Sequence, residues 1–245
     1  MRNTNEQNYF NQKKEFIDTT VKNKGNLAAI AENFTKYISR QQLSRFLLRQ
    51  ELFKKVLDMK GSIVECGVYE GAGLMMWAHL SSIYEPYNYH REIIGFDSFA
   101  GFPSISPKDK GKNENSVAVV GGLKSSSYEE LLECIKLYDM NRPLAHKNKV
   151  KLVKGDFLKT GKEYLKDNNH MLISLLYLDF DIYEPTKEAL KLFMPRMSKG
   201  SIIAFDELNN PDWPGETQAV LEEINLREYE LKQFSFEPNV SYIVL

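Results

Sequence analysis

The sequence predicts an α/β fold: a mostly parallel, seven-stranded sheet with helices on both faces, preceded by an N-terminal helical segment. Three observations predict it. From residue 62 onward, short apolar runs alternate with helical stretches, the pattern of parallel strands joined by crossover helices. Four of those runs carry acidic residues at or next to their ends: Glu65, Asp97, Asp179 and Asp206. The first run also passes through a glycine turn, Gly67 to Gly73, into an apolar helix. In such sheets ligands sit outside the carboxyl ends of the strands, where strand order reverses.

The elements follow in chain order. Residues 1–60 carry no strand signal. Leu43, Phe46, Leu47 and Leu48, then Leu52, Phe53, Val56 and Leu57, recur at helical spacing, with Gly25 and Asn26 expected to divide the segment. We assign 1–60 as a helical prelude serving as a lid or a dimer contact, and 61–245 as the main domain. Strand one is Ser62–Cys66 and its helix Ala72–Ile83; strand two is Glu92–Phe96, entering Asp97. Phe99–Leu123 is a long irregular excursion rich in glycine and polar residues, and long loops of this kind are usually functional. A helix over Tyr128–Asp139 precedes strand three, Val150–Val153, which leads to Asp156 and Phe157 and a short helix over Gly161–Lys166. Strand four, Ile173–Leu178, enters Asp179, and Pro185 opens its helix. Strand five, Ser201–Phe205, enters Asp206, with a helix over Thr217–Asn225. Leu231–Phe236 and Ser241–Leu245 read as a terminal antiparallel pair.

Composition narrows the function classes. Lys plus Arg number 32 against 33 Asp plus Glu, a net charge of −1, so no basic excess points to nucleic acid. Cys66 and Cys134 have no CxxC neighbour, which argues against a zinc site or a disulfide framework. Met1–Tyr9 lacks an apolar signal core, and no apolar run approaches the roughly 20 residues of a membrane span. The expectation is a cytoplasmic protein with no membrane partner.

The glycine turn reads G-x-x-x-G-x-G, not the G-x-G-x-x-G of dinucleotide sites, and it has no P-loop lysine. Its acidic Glu65 disfavours a phosphate and suits a cationic ligand. An acidic residue at the end of strand two accepts from ribose hydroxyls in such folds, which points to Asp97. Asp156 is placed to accept from an adenine amino group, with Phe157 against the ring. A nucleoside with a positively charged amino-acid tail fits this set, and S-adenosylmethionine is one. The competing reading makes the carboxylates helix caps. At strands four and five, Asp179, Asp181, Asp206 and Glu207 stand at neighbouring strand ends. Clustered carboxylates repel, and a hard divalent cation such as Mg²⁺ would relieve them.

Four stretches together resemble the macrocin O-methyltransferase family: Glu65–Gly71, Asp97–Pro103, Leu178–Thr186 and Ser198–Asp206. The resemblance spans about residues 40–210. It implies a class I, Rossmann-like methyltransferase fold and an S-adenosylmethionine- and Mg²⁺-dependent enzyme that methylates a sugar hydroxyl of a glycan or secondary metabolite. By position it implies that Glu65, Gly67, Tyr69 and Gly71 hold the cofactor tail, Asp97 and Ser98 the ribose, and Asp156 and Phe157 the adenine. Asp179, Asp206 and Glu207 would be metal ligands; the family has aspartate where this chain has Glu207.

Asp181 is the candidate general base, with capping of the following helix as its competing role. Phe102, Tyr183 and Trp213 are candidates to stack on a sugar. None of the four histidines is placed for catalysis. A catechol-like acceptor would use the same metal logic. A nicotinamide-dependent oxidoreductase conflicts with the glycine spacing and the absent Tyr-x-x-x-Lys pair, and a non-catalytic sugar- or nucleotide-binding protein conflicts with retention of both carboxylate sets. The expected partners are a sugar substrate and, through the prelude, a second copy of the chain.

Overall fold

The structure, a computed structural model, describes residues 4–24, 27–112 and 117–245, so Gly25 and Asn26 lie outside the described residues. Its helices are α1 (Thr4–Lys24), α2 (Leu27–Glu32), α3 (Arg40–Lys55), α4 (Ala72–Tyr84), α5 (Tyr128–Met140), α6 (Phe157–Asp167), α7 (Tyr183–Phe193) and α8 (Pro214–Glu223). Its strands are β1 (Ser62–Cys66), β2 (Ile93–Asp97), β3 (Val150–Lys154), β4 (Ile173–Leu178), β5 (Met197–Phe205), β6 (Lys232–Phe234) and β7 (Glu237–Val244). No helix among the described residues is long and apolar enough to cross a membrane.

The chain forms two compact units, Met1–Arg45 and Phe46–Leu245. In the first, Phe16 stacks on Tyr37 at 6.0 Å between ring centroids. A reciprocal cap starts α3: Gln42 N–H donates to Ser39 Oγ, and Ser39 N–H donates to Gln42 Oε1.

In the second unit the strands lie in the order β3-β2-β1-β4-β5-β7-β6. The first five are parallel, and β7 and β6 run antiparallel as the terminal pair. After β1 the chain builds outward to β2 and β3, then returns to β4 on the other side. Strand order therefore reverses between β1 and β4.

Period-two alternation decides which helices cover which face. Ile63, Leu175, Tyr177, Ile202 and Ala204 share a core with Leu48, Leu52, Phe53 and Val56 of the α3 region and Leu74 and Trp77 of α4. Val64, Cys66, Leu176, Leu178, Ile203 and Phe205 face the other way, onto Phe157 and Leu165 of α6, Leu190 and Phe193 of α7 and Val220 of α8. Three helix starts differ from the sequence expectation: α8 begins at Pro214 rather than Thr217, with proline at its first position, and the other two have side-chain causes. Helix α6 begins already at Phe157, because Asp156 is its N-cap and accepts from Leu158 N–H at 3.1 Å. Helix α7 begins at Tyr183, because a carboxylate from the long loop caps it (below).

Candidate active site at the β1–β4 crossover

Three backbone kinks shape the turn after β1. Gly67 has φ +93° and Gly71 φ +87°, the left-handed region that glycine takes without penalty. A Cβ on Gly67 would overlap the Asp179 carbonyl, so the bare α-carbon is what lets the tips of β1 and β4 close up. Tyr69, at φ +51°, is half exposed beside them. Asp97 holds this turn. Its Oδ2 accepts from Val68 and Tyr69 N–H, each at 2.8 Å, and its Oδ1 accepts from Phe99 N–H at 2.6 Å. Ser98 closes the next bend, donating to the Gly101 carbonyl at 2.6 Å. Both residues stand at the strand end as expected, and both order the backbone around them.

Glu65 does not lie at the tip. Alternation turns it under the sheet, onto the α3 and α4 side, where it is 2% exposed. Its Oε1 accepts from Arg49 Nη2 at 3.2 Å, while its Oε2 has no hydrogen-bond partner. Burial pushes the Glu65 carboxyl up to about 7, against the pull of Arg49. Tyr177, opposite Glu65 in the β1–β4 register, donates its hydroxyl to Asp206 Oδ1 at 2.6 Å. The Arg49 guanidinium lies 4.7 Å from the centre of the Tyr177 ring. Burial works to lower the Arg49 pKa, but Tyr177, Glu65, Asp179 and Asp206 outweigh it and hold it above its ordinary value. Arg49 was not among the site candidates from sequence, yet the signal was there: it shares a helical face with Leu52 and Phe53.

Asp179 and Asp206 leave the sheet side by side. Leu178 pairs with Phe205, Asp179 N–H donates to the Cys66 carbonyl at 2.8 Å, and Asp206 N–H donates to the Leu178 carbonyl at 3.0 Å. Two carboxylates so placed are the oxygen donors Mg²⁺ prefers. Glu207, the third expected ligand, accepts from Asn210 Nδ2 through Oε2. Among the described residues no three His, Cys, Asp or Glu side chains gather as a metal-binding group. Arg49 also supplies buried positive charge to these carboxylates, so repulsion alone does not demand a divalent ion.

A second buried carboxylate also escaped the sequence reading. Glu216 of α8 is fully buried, accepts from Glu207 N–H at 2.8 Å through Oε1, and leaves Oε2 without a partner. Burial pushes its carboxyl well above the ordinary range, and the nearby charges of Asp206, Asp181 and Glu207 add to that.

Asp181 has φ +63°, a conformation asparagine and aspartate tolerate best among non-glycine residues. It is not the cap of α7; the N-cap position is Ile182, with no side-chain cap of its own. Asp109 of the long loop takes that role: its Oδ1 accepts from Tyr183 N–H at 2.6 Å, and its Oδ2 accepts from Ser106 N–H at 2.8 Å.

The aromatic candidates are mostly structural. Phe157 is 4% exposed and packs at ring distances of 4.9–5.6 Å against Phe180, Phe96 and Phe193. Its ring face is covered, because residue 157 opens α6 on the inner side. Tyr183 is buried with its hydroxyl donating to Glu222 at 2.6 Å. Phe102 meets Trp213 edge-on at 5.9 Å. His79 of α4 is exposed and lies edge-on to Tyr138.

The macrocin-O-methyltransferase (TylF) family model matches residues 2–222, further in both directions than the motifs alone reach. The structure is similar to that of CalS11, described as a calicheamicin methyltransferase, with 32% identity, 100% of this chain and 94% of that chain covered, and a TM-score of 0.91. An apo structure of CalS11, described as a TDP-rhamnose 3'-O-methyltransferase of calicheamicin biosynthesis, gives 30% identity, 100% and 96% coverage, and a TM-score of 0.82. The O-methyltransferase NovP shares the fold at 21% identity, 82% and 78% coverage, and a TM-score of 0.63. No curated protein matches the chain in sequence.

Proposed function

The chain belongs to the macrocin-O-methyltransferase family, an O-methyltransferase with a class I, Rossmann-like fold, and from that premise we propose that it methylates a sugar hydroxyl using S-adenosylmethionine. The similarity to CalS11, whose acceptor is TDP-rhamnose, supports a nucleotide-linked or natural-product sugar as the acceptor class. One observation carries the reading: a glycine turn at the β1–β4 reversal with an acidic residue beneath it whose Oε2 is buried and unpartnered. Such an orphaned oxygen fits a ligand ammonium group, and the left-handed backbone at Gly67 and Gly71 bends the turn above it.

In this reading Glu65, Gly67, Tyr69 and Gly71 hold the amino-acid tail. Asp97 and Ser98 take the ribose hydroxyls with lone pairs beyond those used on backbone, and Asp156 takes the adenine amino group. Phe157 supports Asp156 from within the core. S-adenosylmethionine supplies, when bound, an electrophilic methyl group on a positively charged sulfur. The chain's task is to align the acceptor oxygen with that methyl group and to remove the hydroxyl proton. Asp181, held beside Asp179 in its left-handed conformation, is the proton acceptor. Its carboxylate would take the proton released by the acceptor hydroxyl during methyl transfer. Asp179 and Asp206, with Glu207 next to them, would hold Mg²⁺; bound there, the ion would acidify an acceptor hydroxyl.

Calorimetric titration with S-adenosylhomocysteine, with and without Mg²⁺, tests the reading. Binding at one site is expected. Absence of binding under both conditions removes the methyl-donor assignment, and binding indifferent to Mg²⁺, with transfer equally indifferent to it, removes the metal alone.

A further inference from the structure

Arg49 and Glu65 form a buried ion pair in which neither partner is saturated. A single bond of 3.2 Å joins Arg49 Nη2 to Glu65 Oε1, while Arg49 Nε and Glu65 Oε2 have no partner. The guanidinium lies over two rings, Tyr177 at 4.7 Å and Trp77 at 5.7 Å from the ring centroids. The Tyr177 hydroxyl passes on to Asp206 Oδ1 at 2.6 Å. Gly73 makes room for the pair: a Cβ there would overlap Glu65 Oε1 and stand 2.6 Å from Arg49 Nη2. A guanidinium does not lose its proton inside a protein, so this is a permanent positive charge behind Glu65, Asp179 and Asp206. Burying such a pair contributes little net stability compared with an apolar pair of the same volume. Its position therefore asks for another explanation.

We propose that Arg49 is a positioning residue for the reaction: a fixed cation that partly neutralises the acidic crevice and limits how strongly it prefers a positively charged sulfur over a neutral one. The argument rests on the methyl-donor reading above. During transfer the positive charge leaves sulfur, so a crevice that is too negative stabilises the starting sulfonium more than the transition state and slows the step. Arg49 opposes that excess. Tyr177 and Trp77 hold it in place by their ring faces, and Glu65 keeps the oxygen not bound to Arg49 for the ligand.

S-adenosylmethionine and S-adenosylhomocysteine make a matched pair of probes, because they share the amino-acid tail and adenosine and differ in charge at sulfur. Their dissociation constants are to be measured on the whole chain for the wild type, Arg49→Lys, Arg49→Met and Glu65→Gln. Loss of packing moves both constants together. Loss of charge moves their ratio. In Arg49→Met, measured at a pH high enough to keep Glu65 ionised without its partner, the preference for S-adenosylmethionine should rise about fivefold, which is about 1 kcal/mol, and kcat and KM for the donor should fall together. Arg49→Lys should keep the wild-type ratio, and Glu65→Gln should shift it the opposite way. If circular dichroism shows that Arg49→Met does not fold, Glu65→Gln carries the test. An unchanged ratio in the folded charge-altering variants overturns the proposal while leaving the donor reading intact. Failure of the wild type to bind either ligand overturns both.

Discussion

Replacing Asp109 by asparagine alters little of the side chain's shape, yet the structure makes it one of the costlier conservative changes in the chain. Both Asp109 oxygens accept from backbone N–H groups, Tyr183 at 2.6 Å and Ser106 at 2.8 Å, and the residue is 2% exposed. Asparagine has one acceptor oxygen and one NH₂. Whichever way it turns, an N–H donor faces another donor. One hydrogen bond to a charged acceptor is lost, about 1.5–3 kcal/mol, and a buried donor is left unsatisfied, so the total cost is about 2–4 kcal/mol. Alanine loses both bonds but leaves space for water, and its cost should fall within about 1 kcal/mol of the asparagine variant. Gly215 provides an internal check, because a Cβ there would overlap Asp109 Oδ1 and stand 2.7 Å from Tyr183 N. Gly215→Ala should therefore cost at least about 1 kcal/mol less in an Asp109→Ala background than alone. Urea unfolding followed by fluorescence and circular dichroism reads wild type and the four variants. An asparagine variant within about 0.5 kcal/mol of wild type, or strictly additive costs, would refute the capping argument.

Gly67→Ala should destabilise by about 2–4 kcal/mol, from the positive φ and the displaced β4 tip, and should weaken S-adenosylhomocysteine binding; unfolding and calorimetry on one preparation check both. Asp181→Asn keeps the tolerance for a left-handed backbone while removing the base, so kcat should drop about 10²-fold or more with product affinity nearly unchanged; a kcat within about threefold of wild type removes Asp181 from the chemistry. Burial holds Lys149 down to about 8, against 10.5 for an ordinary lysine. Between those pH values the unfolded chain binds the additional proton, so stability rises with pH across the window. Wild type should gain on Lys149→Met from pH 8 to 10.5 in paired urea titrations, and a flat difference would contradict the assigned shift.

How far the fold could be read depended on which signals are local. The strand runs of β1 to β5 and the closing antiparallel pair were legible because a short apolar run bounded by turn residues is a local pattern. The acidic ends at Asp97, Asp179 and Asp206 were legible for the same reason. What escaped depends on which face a residue occupies. The sequence places Glu65 in the turn, whereas alternation carries it beneath the sheet. The sequence places Phe157 against an adenine ring, whereas Asp156 starts α6 there and the ring packs in the core. Arg49 shares a helical face with apolar residues and Glu216 follows a motif by a few residues, but their pairing with Glu65 and Glu207 appears only in the folded chain. Asp109 escaped for a related reason: a loop carboxylate announces no partner in sequence, and its partner is the first amide of a helix that begins 74 residues later.

A crystal structure of the protein with S-adenosylhomocysteine tests the central claim most directly. The account predicts the product across the carboxyl ends of β1, β2 and β4, its ammonium nitrogen within hydrogen-bond distance of Glu65 Oε2 and its tail against the Gly67 α-carbon. Density for the ligand elsewhere, or an ammonium group on the far side of the turn from Glu65, would contradict it.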